Sequence, residues 1–597
     1  MRIEDYALIG DCETAALVGR NGSIDWLCWP RFDSDACFAA LLGHPENGRW
    51  LIAPKAEIVK TERRYRGDTL ILETIFETKD GRVRLTDFMP MRNGIEIVRF
   101  VEGLDGTVEM CCELILRFGY GAYVPWVTRE SDGLLKAISG PDMVMLRADV
   151  PTKGKDMKTV AEFAVSAGES VSFVLSYAPS HLPPTEPIDA AKALKLTEKL
   201  WCEWVEQSPQ KGEWADVVTR SLITLKALTY APTGGIIAAP TTSLPETPGG
   251  IRNWDYRFCW LRDSTLTLMA LMNAGFFSEA QAWRDWLLRA VAGNPAEAQI
   301  MYGLAGERRL TEWEIDWLDG YEGAKPVRVG NAAAGQLQLD VFGEVIDTFY
   351  QAFKGGIPID EPSWSVLRAL LKELETRWKL PDRGIWESRG EPRHHTYSKV
   401  MCWVAFDRAI KMAEEAGFDG PVDRWRETRS IIHDDICEKA FDGRVGSFTA
   451  WYGTDMLDAS LLLLPNTGFL PPTDPRIHGT IEAIEQRMMP DGFVLRHDPR
   501  LTEGGLKHGE GAFLACSFWL ADAYVLIGRR EEAEKLLHRL IGLCNDVGLL
   551  AEEYSGALKR QLGNFPQAFS HVALINTIHN LVNTEKPAEQ RSEHKSM

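Results

Sequence analysis

Along the first 190 or so residues, apolar and polar positions alternate with a period of two. The runs are short, as in ILETIFETKD, GRVRLTDFMP and VAEFAVSAGESVSFVLSYAP, with Gly, Asp or Asn-Gly punctuation every ten residues or so. Alternation sends successive side chains to opposite faces of a strand, so this stretch predicts an antiparallel β-sandwich. The segment 188–207 takes on a helical period and predicts a helical linker. From about 212 onward the spacing is that of helices, and twelve are predicted near 214–231, 258–276, 278–295, 334–355, 362–377, 395–416, 420–440, 454–465, 475–489, 509–528, 530–544 and 568–582. The odd-numbered members carry one apolar stripe, as in REEAEKLLHRLIGLC, whereas several even ones, such as GAFLACSFWLADAYVLIG, are apolar nearly all round. Striped helices belong at a surface and all-round apolar helices in an interior.

The connections carry a second asymmetry. Every odd-to-even connection is long (about 232–257, 296–333, 378–394, 441–453, 490–508 and 545–567), while most even-to-odd ones are a few residues. Six helical hairpins with long loops at one end predict an (α/α)6 barrel with one elaborated face. Long loops in a compact domain usually carry function, so the site is expected on that face. The expected organisation is a β-sandwich domain at 1–187, a helical linker at 188–211, a catalytic barrel at 212–585 and a polar tail at 586–597. The N-terminal domain is expected to serve packing and loop support, with its Trp-rich stretch GRNGSIDWLCWPRFDSDACF reaching toward the barrel mouth.

Composition narrows the function. The 597 residues are 45% apolar and 25% charged, which is globular composition. A formal net charge of -19 with no local basic patch argues against nucleic acid as a partner. No apolar run approaches the roughly 18 residues a bilayer span needs, so no membrane partner is expected. The opening MRIEDYALIGDCET lacks a basic region followed by an apolar one, so a cytoplasmic protein is expected. Eleven cysteines, an odd number without a C-x-x-C pair or a Cys/His spacing suited to zinc, read as reduced thiols and give no metal site. Phosphate-loop, dinucleotide, zinc-protease and serine-hydrolase motifs are all missing from the sequence.

The loops hold the candidate chemistry. In IRNWDYRFCWLRDSTLTLMALM, Arg262 and Asp263 enter an otherwise apolar helix, where charges are costly unless paired or used. They are either a structural pair or a set of donors and acceptors for sugar hydroxyls. The second loop interleaves Trp313, Glu314, Asp316 and Trp317 ahead of Arg328 and Asn331, which suits sugar binding or a solvated loop anchored by aromatics. The third places Glu387 directly after Trp386; a carboxyl beside an indole in a partly dry cleft holds its proton to higher pH, as a general acid must. His394 and His395 read as structural. The sixth carries Glu552 and Glu553 side by side, and two carboxylates across a pocket are the minimum machinery of most glycoside hydrolysis.

The opening IEDYALIGDCETAALVGRNGSIDWLCWPRFDSDACFAALLG, together with RNWDYRFCWLRDS, GYEGAKPVRVGNAA, GIWESRG and LGNFPQAFSH, resembles glycoside hydrolase family 15, the glucoamylase and bacterial trehalase family, over nearly the whole chain. The resemblance implies the same β-sandwich and (α/α)6 barrel. It implies an exo-acting α-glucoside hydrolase working by inversion without a cofactor, with Glu387 as general acid and Glu552 as general base. Glu553 stands where the family often has Gln. Arg262 and Asp263 match the pair that holds the nonreducing-end glucose, and Trp260, Trp313, Trp317, Arg328, Trp386 and Glu553 are the further expected substrate contacts. Among α-glucosides, α,α-trehalose is the first expectation, and a glucoamylase or isomaltose-type substrate the alternative. A disaccharide phosphorylase is disfavoured by the acidic sixth loop, and a non-catalytic sugar-binding protein by the two carboxylates.

Overall fold

A computed structural model describes residues 1–92, 94–501 and 510–582. The alternating runs form fifteen strands between Tyr6 and Pro179, paired in antiparallel ladders. One strand, Ile95–Ile115, organises them. Its first half pairs with Gly81–Phe88 and Ser170–Pro179, and its second half with Arg49–Pro54 and Lys158–Ser166. The switch between sheets falls at Gly106, whose φ of +64° and a carbonyl of Asp80 2.2 Å from where a Cβ would stand admit only glycine. Arg99 on the same strand is wholly buried; it donates to Asp87 at 2.8 Å and to the Gly22 carbonyl at 2.6 Å, so its charge is matched inside the sandwich. Losing either partner of such a buried pair costs about 3–5 kcal/mol.

Helix α1, Ala190–Glu206, follows as the linker helix and is capped by Asp189, whose side chain accepts from the Lys192 amide at 3.0 Å. All twelve helical segments expected of the barrel then contain helix. The outer ones are α2 (Ala215–Ala227), α4 (Phe277–Ala290), α6 (Glu361–Arg377), α8 (Val422–Lys439), α10 (Pro475–Arg487) and α12 (Arg530–Ile541). The inner ones are α3 (Leu261–Asn273), α5 (Asp340–Lys354), α7 (Thr396–Ala416), α9 (Leu464–Thr467), α11 (Leu514–Leu526) and α13 (Ala568–Val582). Inner neighbours pack in sequence from α3 round to α13, and α13 packs back on α3, which closes the ring. The burial pattern follows the apolar pattern. Helix α12 buries only Ala533, Leu536, Leu537 and Leu540, one stripe, while α11 buries every residue from Leu514 to Val525. Each fully buried leucine contributes about 1.5–3 kcal/mol.

The segment 454–465 departs from expectation. Asp458 is extended, with φ −146°, and its side chain accepts from the Ser460 amide, so no helix starts before Ala459; a 3-10 stretch, Ala459–Leu463, then leads into the short α9. The tail 586–597 and the last residues of the expected barrel lie outside the described residues.

The domains are joined at the barrel's first long loop. Arg257, wholly buried, grips Asp255 through two nitrogens at 2.9 and 2.7 Å and donates to the Ser34 carbonyl and the Tyr120 hydroxyl, both at 2.8 Å. Trp26 donates to the Pro240 carbonyl at 2.8 Å. The Trp-rich N-terminal stretch therefore supports the loop from behind. Among the described residues no helix is long and apolar enough to cross a membrane.

Candidate active site

The elaborated face opens into a cleft of about 520 Å³. Its walls come from the first loop (Glu246, Arg252, Trp254, Tyr256), the second (Arg328, Asn331), the third (Trp386 to Arg389) and the fifth (Arg496, His497). Below it a tighter recess shares Tyr256, Trp260, Trp386, Glu387 and Arg496 and ends on Arg262, Asp263, Gln567 and Phe569. A wide cleft joined to a tighter recess suits a sugar held by its terminal ring.

Arg262 and Asp263 reach the recess because the first turn of α3 begins beside it. The Arg262 guanidinium donates to Asp263 Oδ2 at 3.0 and 2.8 Å, to the Ile385 carbonyl, and to Glu387 Oε1 at 3.1 Å, while lying 5.3 Å above the Phe569 ring. It thus ties the mouth of an inner helix to the third loop. Glu387 sits at φ +49°, a left-handed conformation that costs a non-glycine residue about 1–3 kcal/mol and is kept by the surrounding loop. Burial raises its pKa, with Asp263 adding to the rise and Arg262 and Arg496 opposing it. Next to it the Trp386 indole donates to both oxygens of Asp458 at 3.0 Å and packs on Trp519 and Phe513, so this wall is fixed from the fourth and fifth hairpins.

Glu552 is 1% exposed and lies behind Tyr256 instead of on the cleft wall. Its Oε2 accepts from the Asn564 amide at 3.1 Å, and the Tyr256 phenol stands near it. Burial first, and then the charge of Glu246, push its pKa up to about 8, against Arg496, Asn564 and Tyr256, which pull it down. Tyr256 feels both Glu552 and Glu387, so one phenol stands near both carboxyls. Farther out, the Trp254 ring lies between Arg328 and Arg389, 4.6 and 4.3 Å from its centre.

The barrel portion, residues 212–579, matches the model of glycosyl hydrolases family 15, and residues 1–182 match a trehalase-like N-terminal domain. The chain belongs to glycosyl hydrolase family 15. It is a glycoside hydrolase. A trehalase of Mycobacterium tuberculosis is 38% identical, the alignment covering 98% of this chain and 90% of that one. A trehalase of Thermoplasma volcanium is 34% identical over 96% and 92%. A bacterial glucoamylase solved with acarbose superposes with a TM-score of 0.70 at 13% identity, over 98% of this chain and 95% of that one, and so shares the fold of sandwich and barrel.

Within this family 15 site, the expected residues divide. Arg262, Asp263, Trp260, Trp386, Arg328 and Glu387 line the cleft or its recess. Trp313 and Trp317 do not line them: Trp317 donates to the Tyr120 carbonyl at 3.0 Å and Trp313 packs edge-on against the Tyr120 ring, so both serve the contact with the N-terminal domain. Glu553 is fully buried and also off the cleft walls. His394 stacks on Tyr452 and His395 meets Trp451 edge-on, and neither lines the cleft. Sequence reasoning passed over Tyr256, Glu246, Arg496 and His497. Tyr256 sits inside the quoted RNWDYRFCW, and Arg496 follows an apolar run in the long fifth loop, which was the available signal. Among the described residues one trio of carboxylates, Glu246, Glu510 and Glu553, comes close enough to surround an ion, and the Arg496 guanidinium is the cation lodged there.

Proposed function

We propose that this enzyme hydrolyses α,α-trehalose by single displacement with inversion, in the cytoplasm. The substrate reading is supported by relatives named trehalase that align along almost all of both chains, the N-terminal domain included. The compartment is supported by eleven free thiols, of which seven are buried, in a chain with no disulfide.

The mechanism rests on one observation: a tight recess with a raised carboxyl, Glu387, on its wall and a second raised carboxyl, Glu552, buried near the Tyr256 that lines the same recess. Arg262 and Asp263 hold the hydroxyls of the glucose in the recess, and the second glucose lies toward Trp254, Arg328 and Arg389. Glu387 protonates the glycosidic oxygen. Glu552 deprotonates the water that attacks the anomeric carbon from the opposite face, and charge develops on the ring as in an oxocarbenium ion. Protein carboxyl groups supply both proton transfers. Burial raises the pKa of Glu387 in the direction an acid needs, and the acidic limb of the rate belongs to Glu552.

A glucose-release screen on trehalose, maltose, isomaltose, maltotriose and starch, followed by proton NMR of the first turnovers, tests this. Trehalose should be the best substrate and yield one β-glucose and one α-glucose per turnover. Preference for maltotriose or starch would replace trehalase by a glucoamylase reading, and two α-glucose molecules at first turnover would rule out inversion.

A further inference from the structure

Beside Glu552 stands a carboxyl the mechanism does not use. Glu553 is 0% exposed, and neither of its oxygens receives a hydrogen bond from any described residue. One oxygen each of Glu246, Glu510 and Glu553 lie within 4.8 Å of one another. The guanidinium among them is committed elsewhere: Arg496 Nη2 donates to Glu246 Oε2 at 2.7 Å and to Glu510 Oε2 at 2.8 Å, and its Nε to Glu510 Oε1 at 3.1 Å. It comes only within 3.5 Å of Glu553 Oε1. Arg252 also binds Glu510 and lies 3.7 Å from Glu246. Burial disfavours the charge on Glu510, but Arg496, Arg252 and His497 outweigh it and hold that carboxyl at about 2. The remaining groups facing Glu553 are Glu552, its neighbour in sequence, and the Cys516 thiol of α11, itself pushed up by burial.

Four carboxyls thus share two guanidinium groups. Leaving Glu552 and Glu553 both ionised would bury adjacent like charges with no cation between them, a cost that a single proton removes. The hydrogen bonds decide where that proton goes. Glu552 accepts from the Asn564 amide through Oε2, which favours its ionised form, whereas neither oxygen of Glu553 accepts a bond. We propose that Glu553 is a positioning residue held as the neutral carboxylic acid, its O–H turned to a neighbouring carboxylate, so that Glu552 is the member of the adjacent pair that ionises. The inference rests on Glu552 as the base.

The full-length Glu553→Gln variant tests it, because an amide, like a neutral carboxylic acid, presents a donor and an acceptor without charge. The acidic limb of kcat/KM should stay within about 0.3 pH unit of wild type. If Glu553 were ionised, removing its like charge would move that limb down by about one unit or more and overturn the proposal. A wild-type-minus-variant infrared difference spectrum at pH 7 should show the C=O stretch of a protonated carboxylic acid; a carboxylate band in its place overturns it. So does a divalent cation recovered at one per wild-type chain and lost in the variant, which would stand where the proton is placed. A variant that fails to fold, judged by circular dichroism, also counts against it, since a neutral side chain should be tolerated. An active Glu552→Gln would sink the base assignment instead, which keeps the two failures apart.

Discussion

Replacing Tyr256 by Phe removes one hydroxyl and little else. The ring should keep its edge-on contact with Trp260, at 5.4 Å and 82°. What is lost is the phenol beside Glu552 that favours its ionised form, and a hydroxyl bonded to a charged group is worth about 1.5–3 kcal/mol net. At 1.36 kcal/mol per pKa unit this raises Glu552 by about one to two units above its already elevated position near 8. The sign is fixed by the role of the group: a base works only when ionised, so activity is present above its pKa and lost as pH falls through it. The acidic limb of kcat/KM on trehalose should therefore move to higher pH. At pH 7, on the falling limb, the rate should drop about 10- to 100-fold, with partial recovery toward pH 9. A limb that stays in place or moves down would show that the phenol does not stabilise the charged form of Glu552.

Arg262→Lys should lower kcat/KM by well over tenfold, at least about 1.4 kcal/mol of transition-state stabilisation, because one ammonium cannot serve Asp263, the Ile385 carbonyl and Glu387 together; normal kinetics in a folded variant would reduce the pair to a structural role. Glu387→Gln should abolish trehalose hydrolysis yet spare α-glucosyl fluoride, whose leaving group needs no proton, whereas Glu552→Gln should slow both; equal losses for Glu387→Gln on the two substrates would refute its role as acid. Gly563→Ala should cost stability and most activity: its φ is +75°, and the new methyl would stand 2.4 Å from Glu552 Oε2, so retention of wild-type melting temperature and rate would contradict the packing described around the base.

The barrel was legible because its two rings differ in apolar pattern, and α11 and α12 show this most plainly. The place of Glu387 on the cleft wall was legible for a local reason, since its indole neighbour is adjacent in sequence. The contacts around Glu552 were not. Arg496, Glu246 and Glu510 come from loops 40 to 300 residues away, and no periodicity records which loops touch. Trp313 and Trp317 illustrate the reverse error. Acids interleaved with tryptophan suit a sugar, but the same pattern suits a rim that closes against another domain, and only the position of Tyr120 separates the two. The 3-10 start of α9 was hidden because Asp458 spends its side chain on the Ser460 amide, a local competition that apolar spacing does not register.

Arg257 has a bearing on how the polypeptide matures. Its carbonyl and phenol partners, Ser34 and Tyr120, belong to the part of the chain that leaves the ribosome first. Domains generally fold as units during synthesis, N-terminal first. The sandwich can be complete before residue 257 is polymerised, so the loop that carries Tyr256 closes onto a finished surface and not onto another unfinished one. A circular permutant that makes the barrel first would present that buried guanidinium to water until the sandwich arrives. Such a permutant should pass through a longer-lived, chaperone-dependent intermediate even though its final contacts are the same.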